Sequence, residues 1–129
     1  AAMVDLAVHA HDDYTDFDLE RFEQEELARL GLPALAKMMH RLPHFRHLFS
    51  GDSYAAGYYV YMWAEVLDAD AFDAFVEQKN PFHRETAQRL HDYVYSAGNS
   101  IEPAEAYRAF RGRDARVEPM LKKRGLIPA

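Results

Sequence analysis

Residues 53–78, SYAAGYYVYMWAEVLDADAFDAFVEQ, decide the fold. Alanine and unbranched residues recur through them, no proline interrupts, and Asn80-Pro81 supplies a stop, because the residue before a proline is driven out of the helical region. The pattern predicts one long helix from about Ser53 to Gln78. At about 100° per residue, Tyr54, Tyr58, Tyr61 and Glu65 then lie within roughly 60° of one another. Ala56, Tyr59, Val60, Trp63, Val66 and Leu67 take the opposite face and read as the core stripe.

The rest of the chain is also helical in pattern. Residues 3–11, MVDLAVHAH, carry apolar helical spacing with no capping residue ahead, as expected of a chain that continues a longer one. Asp16 to Leu30 reads as an amphipathic helix, with Thr15 and Asp18 at capping-box spacing and Gly31 as the stop. Pro33 can open a short helix through Met39. Residues 41–52, RLPHFRHLFSGD, read as a loop or a short extended piece. Further helices fit Phe82 to Ser96, Pro103 to Arg111 and Arg116 to Arg124. No strand alternation and no internal repeat emerges, so the expected class is all-α. At 129 residues the chain is expected to be a single helical domain.

Composition excludes several functions. The net charge of −6 argues against a nucleic-acid partner, which needs clustered Lys and Arg. Residues 101–129 hold 7 basic and 4 acidic side chains against 8 and 17 in residues 1–100, and this mildly basic end reads as a solvated helical face. No apolar run approaches a membrane span. The chain has no cysteine, so disulfides and thiolate chemistry are absent. Together with the lack of a secretory pattern, this fits a reducing, cytoplasmic location.

The tyrosine face admits two readings. Its phenols can reach water or backbone carbonyls at the edge of the core. Alternatively they line a cleft, where a phenol donates to a substrate carbonyl or a developing oxyanion. Ala55, Ala56 and Gly57 would keep the start of the helix slim, and Gly51 could act as a hinge in the loop before it. His47, just upstream, is placed to donate to substrate. The histidine pairs His9/His11 and His40/His44 do not form a His-Glu-x-x-His motif; the first points apart on a helix and Pro43 interrupts the second. No intrinsic metal site, nucleophile elbow or phosphate loop is expected.

Two long segments, HLFSGDSYAAGYYVYMWAEVLDADAFDAF (47–75) and SAGNSIEPAEAYRAFRGRDARVEPMLKKRGL (96–126), carry a resemblance. They resemble the C-terminal end of the thimet oligopeptidase-like zinc peptidases, in the peptidyl-dipeptidase and oligopeptidase A branch. The likeness covers about residues 45–127; residues 1–44 are compatible but hold no motif. It implies a mostly helical body cut by a deep substrate channel, with zinc held by a His-Glu-x-x-His helix and a downstream glutamate. By this resemblance His47 matches the histidine before a flexible glycine-rich loop that includes Gly51. Tyr54 and Tyr61 match two tyrosines that contact substrate and stabilise the tetrahedral intermediate, and Tyr58 matches a tyrosine of the channel wall. Short peptides would be the substrate.

The zinc motif is missing from all 129 residues. The chain is therefore expected to be a C-terminal fragment, partnered by the missing N-terminal part of the peptidase, binding no zinc itself and inactive alone. The competing expectation is a stand-alone helical module that binds peptides or serves only structure. A carboxylate-binding arginine is not identified by the sequence; Arg46 and Arg111 are the candidates.

Overall fold

The structure, a computed structural model, describes residues 1–128. It is all-α, with no strand among the described residues. The helices are α1 (Ala2–His9), α2 (Leu19–Arg29), α3 (Arg46–Phe49), α4 (Val60–Glu77), α5 (Arg84–Leu90), α6 (Pro103–Arg111) and α7 (Glu118–Lys123). Single 3-10 turns lie at Leu42–His44 and Asp52–Tyr54, and a π turn at His91–Tyr95 continues α5. The residues divide into two compact units, 1–61 and 62 onward.

The first unit closes over Val4, Val8, Leu27, Leu42, Phe45 and Leu48, all buried. Phe17, Phe22, Tyr54 and Tyr58 pack against them. Two carboxylates inside this unit hold backbone rather than cations alone. Glu23 on α2, 2% exposed, accepts from the Leu42 N–H at 2.7 Å and from Arg41 Nε at 2.9 Å. That fixes the segment leading to α3 and His47. Asp5 on α1, fully buried, accepts from the N–H groups of Ala56 and Tyr58 at 3.0 and 2.9 Å.

The second unit buries Val66, Ala69 and Met120 together, and Ala74, Phe75, Ala106 and Phe110 are also buried. Its best-formed helix is α6. Pro103 occupies the first turn, the Glu102 carboxylate accepts from Ala104 and Glu105 N–H at 2.9 and 3.1 Å, and Gly112 ends the helix at φ 76°. Those are the residues that local chemistry asks for at each end.

Several expectations need correcting. The long helix begins at Val60, seven residues after Ser53, because Ala56 takes a left-handed φ of 54° and breaks the helical path. The expected core stripe fails at its start: Tyr59, Val60 and Trp63 are exposed, the last at 57%, and only Val66 of that set is fully buried. Asp18, not Thr15, caps α2, accepting from Arg21 N–H at 3.0 Å, and Asp16 at φ 52° keeps the preceding residues out of the helix. Pro33 to Met39 forms one turn, Ala36 N–H to Pro33 O at 2.8 Å, and no helix. Leu35 and Met39 stay 95% and 90% exposed, so no packed face repays the cost of helix nucleation. Residues 41–52, expected as a loop, contain the Leu42–His44 turn and α3.

Candidate functional site

The candidate site is a cluster of one imidazole and three phenols, built from α3, the 52–59 turns and the first residues of α4. His47 Nε2 lies 3.0 Å from the Tyr61 hydroxyl. The His47 ring packs on Tyr54 with centroids 4.1 Å apart, and Tyr54 and Tyr61 are parallel within 4° at 6.1 Å. Tyr58 meets Tyr61 edge-on at 5.0 Å and seats its other side on the buried Phe45 at 4.9 Å. His47 and Tyr61 are exposed, whereas Tyr54 and Tyr58 are partly buried. The four side chains therefore have apolar support on one side and solvent on the other.

Tyr54, Tyr58 and Tyr61 come together, but not as three positions of one helix. Only Tyr61 lies in α4; Tyr54 ends a 3-10 turn and Tyr58 follows the left-handed Ala56. Contact across a turn, rather than helical periodicity, assembles the group. Glu65, the fourth member of the expected face, is paired to Arg124. Gly51 is extended at φ 170° and ψ 174°, a conformation open to any residue, and a side chain there would meet nothing within 4 Å.

Hydrogen bonding with the Tyr54 hydroxyl raises the Tyr61 phenol above its ordinary pKa, and desolvation adds to the rise. Tyr61 thus keeps its proton throughout the neutral range. Its oxygen can accept from His47 Nε2–H, while its own O–H, directed at the Tyr54 hydroxyl, can turn to an incoming acceptor. The cluster can present phenolic donors to a carbonyl oxygen. Apart from its phenols, its one titratable group is His47.

The arginine candidates divide. Arg111 lies in the second unit with its side chain 5% exposed, donating to Glu77 at 3.0 and 2.8 Å and to Asp70 at 3.4 Å. Each of its three nitrogens donates to a protein carboxylate, a structural engagement within the second unit. Arg46 is exposed and has no ion pair among the described residues.

Sequence reading missed the centre that engages Arg111. Asp70, fully buried, receives Arg113 through two bonds of 2.8 and 2.9 Å and the Tyr107 hydroxyl at 2.5 Å. Burial pushes its carboxyl up, but the bonds from Arg113 and Tyr107 and the Arg111 charge outweigh that, leaving it below the usual range. Burial and the bond to Asp70 push the Tyr107 phenol well up. The signal was an aspartate in the alanine-rich apolar run 69–75 and the two arginines of FRGR (110–113). Asp5, between buried Val4 and buried Val8, was the equivalent signal in the first unit.

The second unit also has an apolar hollow of about 760 Å3, with Trp63, Phe72, Phe75, Val94 and Phe110 among its walls. No histidine lines it, and its one arginine, Arg108, is paired to Asp114 at 2.6 Å. Its chemistry is that of a packing surface.

The cluster gathers three phenols and one imidazole on an edge with apolar support on one side and solvent on the other. The chain belongs to Peptidase family M3, which it matches over residues 1–126. It is 39% identical over 129 residues to a dipeptidyl carboxypeptidase of Salmonella typhimurium, covering 98% of this chain and 18% of that protein. A dipeptidyl carboxypeptidase of Escherichia coli is 37% identical over 132 residues, with the same two coverages. The oligopeptidase A of Escherichia coli is 48% identical over 87 residues, covering 67% of this chain and 12% of that protein. The chain thus spans less than a fifth of the length of these relatives.

Proposed function

We propose that this chain is the C-terminal, substrate-contacting part of a zinc peptidase that hydrolyses short peptides, in which Tyr54 and Tyr61 donate hydrogen bonds to the scissile carbonyl as it becomes an oxyanion. The observation that supports this is the 3.0 Å contact of His47 Nε2 with the Tyr61 hydroxyl, beneath a Tyr54 ring parallel to that of Tyr61. A phenol that donates to an oxyanion must be protonated, held in place and open on one side. Tyr61 meets all three conditions. With Nε2 protonated, His47 donates to the Tyr61 oxygen, and the Tyr61 O–H turns from Tyr54 to the carbonyl when substrate is bound, the imidazole then contacting substrate or intermediate. Tyr58 forms the wall beside them, and the segment around Gly51 borders the site.

Among the described residues, no group of three or more His, Cys, Asp or Glu is arranged to hold a metal. Because the sequence lacks a His-Glu-x-x-His motif, this reading assigns the zinc that the family resemblance implies to residues outside this chain, where it would polarise the carbonyl and activate water. On that reading the 129 residues alone do not cleave peptides, and the remainder of the peptidase is their principal partner. No described helix is long and apolar enough to cross a membrane.

In the complete peptidase, Tyr61→Phe removes one hydroxyl while leaving the ring contacts. It is expected to lower kcat by about 10²-fold or more, the effect of deleting one oxyanion donor. Peptide binding by the isolated chain with unaltered kcat in the phenylalanine variants would instead favour a binding module.

A further inference from the structure

The 54–58 turn is gripped from a residue about fifty positions earlier in the chain. Asp5 Oδ1 accepts from the Ala56 N–H at 3.0 Å and Oδ2 from the Tyr58 N–H at 2.9 Å. His9 Nδ1 lies 2.8 Å from Oδ1 and 2.9 Å from the Asp5 backbone oxygen. A ring nitrogen facing two oxygens carries the proton, so His9 donates to Asp5 and is not the acceptor for Ala56. Three N–H groups converge on one carboxylate with no exposed surface. Burying an ionised carboxylate is costly, and such bonds are what offset the cost.

The two backbone groups that Asp5 holds bracket Gly57, and between Tyr54 and Tyr58 lies Ala56 at φ 54°. A non-glycine residue in that region costs about 1–2 kcal/mol, so the turn needs an outside restraint to persist. Gly57 N–H bonds to Tyr54 O at 2.9 Å, which closes the turn but fixes neither Ala56 nor Tyr58. The Asp5 carboxylate fixes both. Rotation of this turn would carry Tyr54 off His47 and Tyr58 off Tyr61, since those rings meet at only 4.1 and 5.0 Å.

We propose that Asp5, backed by His9, is a positioning residue: its buried carboxylate holds the 54–58 turn and thereby sets Tyr54 and Tyr58 against His47 and Tyr61. The inference rests on the peptidase reading for its catalytic consequence, and on the geometry of the first unit for its structural one. Asp5 touches no substrate; it acts through the tyrosines.

Asp5→Asn keeps the size of the side chain but replaces one acceptor oxygen with a donor. Amide hydrogen exchange in the chain is expected to speed about 10-fold or more at Ala56 and Tyr58, with the α2 and α4 amides unchanged. In the complete peptidase, kcat should fall about 10-fold or more with KM within about 3-fold, as displaced catalytic groups require. Added to Tyr54→Phe, Asp5→Asn should lower kcat by less than about 3-fold, because the one oxyanion donor carried by the turn is already gone and Tyr58 is only wall.

If Asp5→Asn does not fold, His9→Gln, at a partly buried position, should give the same pattern with a smaller effect. Unchanged exchange at Ala56 and Tyr58 in whichever variant folds overturns the inference, as does full additivity with Tyr54→Phe. A kcat lost in Tyr54→Phe but intact in Asp5→Asn overturns it too, and leaves the peptidase reading standing. Full activity in Tyr54→Phe and Tyr61→Phe alike removes the oxyanion-donor role of the tyrosines and the catalytic consequence with it.

Discussion

Asp5 and Asp70 are both fully buried aspartates on helices, and they are satisfied in opposite ways. Asp70 is surrounded by charge: Arg113 through two bonds, Arg111 at 3.4 Å, and the Tyr107 hydroxyl. Asp5 receives two backbone N–H groups and one imidazole. A carboxylate bound by guanidinium groups joins side chains that have their own rotamers, and so ties helices α4 and α6 and the segment after α6 together within the second unit. A carboxylate bound by backbone N–H groups fixes main-chain torsions. The first arrangement secures a fold; the second can hold a strained turn, and here that turn carries two of the three phenols of the candidate site.

The contrast is broken most severely by Asp70→Ala. Removing one partner of a buried ion network leaves Arg113 uncompensated and is expected to cost about 3–5 kcal/mol of stability, read by urea unfolding. Since Asp70 supports the fold and not the turn, kcat per folded molecule of the complete peptidase should be unchanged. Asp5→Asn should have the reverse profile, a smaller stability loss of about 1–3 kcal/mol from imperfectly satisfied donors and a clear loss of kcat. Equal profiles for the two variants would erase the distinction.

The distinction is sharpened by pH. The Asp70 carboxyl titrates below the ordinary value, so the unfolded chain binds the proton more readily than the folded one. Its contribution is therefore full above about pH 4, the unfolded value, and is lost as pH falls through the folded value. The stability gap between the parent chain and Asp70→Asn should be constant from neutral pH down to that point and shrink below it. A gap that widens on acidification would contradict the ion network as its source.

The smallest effect is expected at Ala56→Gly. Glycine relieves the left-handed strain but adds freedom to the unfolded chain, so the net change should be a gain of up to about 1 kcal/mol. A loss greater than about 1 kcal/mol would show that the methyl group, not the turn, matters at this position.

The legible parts of this fold are those whose causes are local. Pro103 to Arg111 reads correctly at both ends because Pro103 and Gly112 act within a few residues of themselves. The start of the long helix does not, because Ala56 is held in its left-handed conformation by a residue that helical propensity over 53–78 cannot register. The same long-range bond explains a mixed outcome in the candidate site. Tyr54, Tyr58 and Tyr61 do share a cluster, yet a turn brings them together and not one face of a helix. The expected packing of Tyr59 fails for the same reason, since Tyr59 lies before α4, whereas Trp63 lies inside α4 and is exposed there. Glu23 and the segment before His47 were hidden likewise, through a bond spanning α2 to Leu42. Family likeness pointed to His47 and the tyrosines directly, but not to Asp5, which lies among the 44 residues without a matched motif.

The central claim is that Tyr61, oriented by His47, donates to the oxyanion during peptide hydrolysis. Its most direct test is single-turnover hydrolysis of a short peptide by the complete peptidase carrying Tyr61→Phe, with substrate affinity measured separately. The account predicts a cleavage step slower by about 10²-fold or more with affinity changed by less than about 3-fold. An unchanged cleavage rate, or a loss carried wholly by affinity, would contradict it.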